Sequence, residues 1–114
     1  MEYPKLEATE VLQICNEVIE LQEKMRNCYF WEPGGNRRSR EKREEWNSQV
    51  FFFSYGENHY TFIQKTSMSY RNCYFSSCFQ INGVQKNLRL VRKLLKEVEQ
   101  DLAKDAQQEE IIER

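Results

Sequence analysis

The stretch that decides the fold is Val50–Phe79, VFFFSYGENHYTFIQKTSMSYRNCYFSSCF, which holds ten of the chain's fifteen aromatic residues in thirty positions. β-Branched and aromatic residues in short alternating runs suit a pleated, half-buried surface. The spacing predicts strands at about 48–55, 59–65 and 70–81, with a first turn at Gly56-Glu57-Asn58 and a second near Thr66-Ser67. In the last strand, alternation places Cys73, Phe75, Ser77, Phe79 and Ile81 on a core face. Tyr70, Asn72, Tyr74, Ser76 and Cys78 fall on the other, polar-aromatic face, which suits solvent or a partner that stacks and hydrogen-bonds.

Upstream, from about Leu6 to Met25, Ala8, Val11, Leu12, Cys15, Val18, Ile19 and Met25 recur at three-and-four spacing and define one apolar helix face. Pro4 fits the first helical position, where its missing N–H has no intrahelical partner to lose. Residues 26–32, RNCYFWE, lead from the helix into a possible fourth strand at 27–32, followed by the turn signal Pro33-Gly34-Gly35. The pentapeptide RNCYF at 26–30 returns at 71–75. Two copies do not make a repeat architecture, so the match is either coincidence or two strands serving similar places in one sheet.

Downstream, Asn82-Gly83-Val84-Gln85 reads as a helix start, with Asn82 as N-cap and Gln85 completing a capping box. Val84, Leu88, Val91, Leu95, Val98 and Leu102 then form a heptad seam. A helix of that length overruns a four-stranded sheet, and its distal half is expected to leave it. Val91, Leu95, Val98 and Leu102 are the expected seam of a homodimer. The plainer alternative lays the first helix antiparallel beside it on the same sheet face.

The expected architecture is therefore α+β: an N-terminal helix, an antiparallel sheet of three to four strands, and a long C-terminal helix packed on one face and protruding. At 114 residues the chain is one domain, 1–114, large enough to bury a core. Its formal net charge of -1, from 17 basic and 18 acidic residues, gives no bulk attraction to nucleic acid or membrane. No apolar run is long enough for a membrane span, and no leader pattern opens the sequence, so a cytoplasmic protein is expected. Cys15, Cys28, Cys73 and Cys78 are accordingly expected as reduced thiols. Their spacing with His59 does not match a zinc knuckle, and no metal or cofactor is expected.

Catalysis would have to centre on His59, the single histidine, with Glu57, Cys73 or a nearby serine. No nucleophile elbow, phosphate loop or dinucleotide fingerprint accompanies it, and the carboxylates lie on solvated helix faces. The expectation is a non-enzymatic interaction protein, of inhibitor or adaptor type, that binds a protein partner. Small single-domain proteins of this kind include those carried by mobile elements. Trp31, Arg37, Arg38, Arg40, Trp46, Tyr70 and Tyr74 are the candidate contact residues, because exposed aromatics and arginines concentrate binding energy.

RNA or nucleotide binding is the alternative. The loop at 36–46 carries Arg37, Arg38, Arg40, Lys42 and Arg43, and residues 86–96 carry Lys86, Arg89, Arg92, Lys93 and Lys96 without an acid. If both lie near the final helix's N-terminus, they would form a phosphate-attracting surface, with Tyr70, Tyr74 and Trp46 as stacking faces. Residues 97–114 hold seven acids and two bases, so the final helix is electrically split.

Overall fold

A computed structural model describes residues 2–26, 28–30, 47–68 and 73–113. Its elements run α1 (Ala8–Lys24), β1 (Tyr29–Phe30), β2 (Asn47–Tyr55), β3 (Asn58–Met68), β4 (Cys73–Ile81), β5 (Val84–Lys86) and α2 (Leu90–Glu113). The fold is α+β, as the residue pattern requires. Among the described residues the strands form one sheet in the order β1-β4-β3-β2, with β5 also on the outer side of β4.

The central three strands are antiparallel and unbroken in register. Phe51, Phe62 and Phe79 face one another across them, followed one row along by Phe53, Tyr60 and Ile81. Phe62 and Phe79 stack with ring centroids 4.3 Å apart, and Phe53 stacks on Tyr60 at 5.2 Å. Offset ring contacts of this kind add to the area they bury. Both helices cover this face: Val11, Cys15, Val18 and Ile19 of α1 join Val91, Leu94 and Val98 of α2 and the sheet aromatics in a single core. Burial pushes the Cys15 thiol up to about 12, so it stays protonated at neutral pH.

The two helices are antiparallel. Arg92 in the first turn of α2 reaches Glu23 near the end of α1 at 3.3 Å. At the other end Tyr55, closing β2, donates its hydroxyl to Asp101 of α2. Burial and that hydrogen bond both raise the Tyr55 pKa. Beyond Leu102, residues 103–107 of α2 are exposed, so the helix leaves the sheet as its length demands.

Three boundaries differ from the sequence reading. Thr66 and Ser67 lie inside β3, which runs on to Met68. Asn82-Gly83 does not open a helix. Both residues have positive φ, 52° and 79°, and form the two-residue turn of a hairpin in which Ile81 pairs with Val84. Asn-Gly favours this turn because the two residues tolerate left-handed backbone and its twist matches that of the strands. Val84 is therefore an exposed strand residue, and α2 begins six positions later at Leu90, with the Asn87 side chain accepting from the Arg89 N–H at 2.9 Å. Pro4 is likewise not in the helix. Its carbonyl accepts from the Ser54 N–H at 2.8 Å, while the Leu6 N–H donates to the Ser54 carbonyl at 3.0 Å. The segment before α1 is thus a short parallel extension of the sheet beside β2.

The fourth strand expected at 27–32 is β1, but it runs parallel to β4. Tyr29 pairs with Tyr74 and Phe30 with Phe75, so the two RNCYF copies lie side by side in equivalent register over their last three residues. Cys28 and Cys73, the matching cysteines, are joined as a disulfide with a sequence separation of 45. The expectation of four reduced thiols is corrected for this pair; Cys15 and Cys78 remain free.

Candidate functional site

Of the expected contact residues, Trp31, Arg37, Arg38, Arg40, Lys42, Arg43, Trp46 and Tyr70 lie outside the described residues. Tyr74 sits half-buried in β4, opposite Ser67 of β3 and Tyr29 of β1. Lys86 ends β5 and Arg89, Arg92 and Lys93 surround the start of α2; all four are exposed, and Arg92 is held by Glu23. Among the described residues no helix is long and apolar enough to cross a membrane.

Part of the stripe expected as a dimer seam is buried within the chain. Val91 and Val98 are fully buried, and Leu95 and Leu102 pack against the same core. Val91 and Val98 are thus core residues, whereas Leu95 and Leu102 lie half-buried at the margin of that core. The reason is that α1 lies beside α2 on the same face and shares its stripe.

His59 stands at the end of the sheet where both hairpin turns meet the N-terminal segment. Its ring Nδ1 is 2.8 Å from Ser54 Oγ, and Ser54 Oγ donates to the Tyr3 carbonyl at 3.2 Å. A carbonyl only accepts, so the arrangement satisfying both contacts has His59 Nδ1–H donating to the serine. That is the reverse of the polarity by which a histidine activates a serine nucleophile. Asn82 fastens the two turns together: its Oδ1 accepts from the His59 N–H at 2.8 Å, and its Nδ2 donates to Asn58 Oδ1 at 2.9 Å. Glu2, Tyr3, Pro4, His59, Asn82 and Gly83 line an open hollow here of about 830 Å³. The arrangement orders the sheet end.

The core contains a polar row. Gln64 faces Gln49 on one side and Ser77 on the other, and is only 1% exposed. Both its amide atoms, Ser77 Oγ and Gln22 Nε2 of α1 are buried with no hydrogen-bond partner among the described residues. A buried polar group left without a partner forfeits about 1–3 kcal/mol of solvation, so this row sets a polar strip inside an otherwise aromatic face.

The feature with the clearest capacity for recognition is the free edge of β2. Residues along a strand alternate in the edge to which they direct N–H and C=O. Ser54 sends both outward, to Leu6 and Pro4, so Phe52, Val50 and Ser48, two, four and six positions back, direct theirs outward as well. No described residue pairs with them. From Asn47 to Tyr55 the strand carries no charge and no proline, and Val50 is 45% exposed. Natural edge strands are usually blunted by lysine, proline, a bulge or a covering element. Beside this edge, Glu17, Glu20, Leu21 and Lys24 of α1 and Gln49 of β2 line a shallow groove of about 300 Å³.

No protein-family model, characterised protein or solved structure matches the chain.

Proposed function

We propose that this is a non-enzymatic interaction protein that binds another polypeptide by adding a strand to the free edge of β2, in the manner of an inhibitor or adaptor. The observation that carries the reading is the row of outward backbone groups at Ser48, Val50 and Phe52 on an uncharged strand, next to Ser54, where the chain's own N-terminal segment already uses the edge this way. Main-chain hydrogen bonds supply affinity in such complexes, and the alternate side chains supply selectivity. Here those side chains are Ser48, Val50 and Phe52, which favours an extended segment with apolar residues at every second position.

The test is a display selection of random extended peptides on the purified protein, followed by Val50→Pro. Proline removes the outward N–H of residue 50 and leaves the ladder to β3 intact. Selected peptides are expected to lose at least tenfold in affinity for Val50→Pro and to bind Gln85→Pro, altered on the opposite edge, unchanged. Equal binding to wild type and Val50→Pro would remove the reading.

A further inference from the structure

We infer that the polypeptide seated on the β2 edge is a second copy of this chain, paired antiparallel about a two-fold axis at Val50. The inference rests on the strand-addition reading and names its occupant.

Three features of the edge fit a self-match. A two-fold axis through Val50 sets Val50 against its own copy and Ser48 against Phe52 on both sides, so all the outward groups find partners. Each facing pair then exchanges two backbone hydrogen bonds. The register is self-consistent because the outward residues are spaced symmetrically about residue 50. The strand also brings no charge to the axis, where any charge would meet its like.

The third feature lies on α1. A two-fold axis perpendicular to the sheet keeps the helices of both copies on one face and brings the two α1 flanks together, running in opposite directions. The groove beside β2 presents Glu17 and Lys24 on either side of Glu20 and Leu21. They are seven residues apart and share one helix face, two turns from each other. Reversing the helix about the midpoint between Glu20 and Leu21 places Lys24 of one copy toward Glu17 of the other, twice over, with the half-buried Leu21 of each copy beside the stem of the other's Glu20. A foreign peptide would have to supply this charge pattern independently; a second copy supplies it by symmetry. The formal net charge of -1 leaves no bulk repulsion to overcome.

Sedimentation velocity on the full chain, combined with amide exchange at Ser48, Val50 and Phe52, tests the inference. The wild type is expected at twice 13.9 kDa, with those three amides protected, and Val50→Lys at the single-chain mass. Lys24→Glu, which leaves the strand untouched, is expected to weaken the dimer at least tenfold. Adding Glu17→Lys to it should restore affinity to within about threefold, an outcome that general destabilisation of the fold would not produce. A wild type that stays single at every concentration, with the three amides exchanging freely, overturns the second copy and leaves strand addition standing. Protected amides in a single chain overturn both. A dimer indifferent to Val50→Lys overturns the inference as well.

Discussion

The two edges of the sheet are finished in different ways. On the β4 side, the hairpin strand β5 covers Phe79–Ile81, β1 covers Tyr74 and Phe75, and a disulfide joins Cys28 to Cys73 beside them. On the β2 side, among the described residues, Ser54 alone is paired, by the segment from Pro4 to Leu6, and the strand carries no charge and no proline. An edge strand left this way invites pairing with other chains, and proteins ordinarily guard against it. Among the described residues one edge thus carries two strands and a covalent bond, and the other a single short contact.

The largest expected effect lies on the guarded side. Replacing Cys28 and Cys73 together by Ser should lower stability by about 4 kcal/mol, the loop-closure entropy for a separation of 45 residues, in urea titrations of oxidised protein. An unchanged midpoint would mean that β1 and β5 hold that edge unaided. A smaller effect tests the parity of the open edge within one pair of variants. Gln49 directs its N–H to β3 and Val50 directs its N–H outward, so Gln49→Pro should cost about 1–3 kcal/mol and Val50→Pro less than about 1 kcal/mol. The reverse order would show that the outward residues are the odd-numbered ones and would displace Val50 from the binding edge.

The smallest effect concerns the tie from β2 to the helices. Tyr55→Phe removes the hydrogen bond to Asp101 and should cost about 0.5–1.5 kcal/mol at neutral pH. Because the folded Tyr55 pKa lies above its unfolded value near 10, the hydroxyl's contribution is complete below about pH 10 and is lost as pH rises beyond it. Thermal melts of wild type between pH 9 and 11 should therefore fall more steeply than those of Tyr55→Phe. Parallel slopes would count against the contact.

The three central strands and the first helix were legible in sequence because each has a strong local period: alternation at Cys73–Ile81, and three-and-four spacing from Ala8 to Met25. Asn82-Gly83 was misread because the same two residues suit an N-cap and a left-handed turn, and only pairing with β4 decides between them. The disulfide did leave a signal. The RNCYF copies are offset by 45 residues, and so are Cys28 and Cys73 and every pair of β1 with β4. Reading it requires knowing that the copies are neighbours, which is tertiary information. The free edge is similar: the absence of charge from 47 to 55 is visible in the letters, but which strand lies outermost follows from the sheet order. The candidate residues between 31 and 46 lie outside the described residues, so the edge and the α1 groove stand where the arginine loop was expected to.

The polarity of α2 has a consequence for behaviour in solution. Its first turn carries Arg92 and Lys93 with no acid, so the side chains there oppose the helix macrodipole. Each such conflict is worth about 0.3–1 kcal/mol in dilute buffer and fades as counterions screen it. The same screening loosens the Arg92–Glu23 ion pair, so added salt relaxes the first turn of α2 and weakens its tie to α1 together.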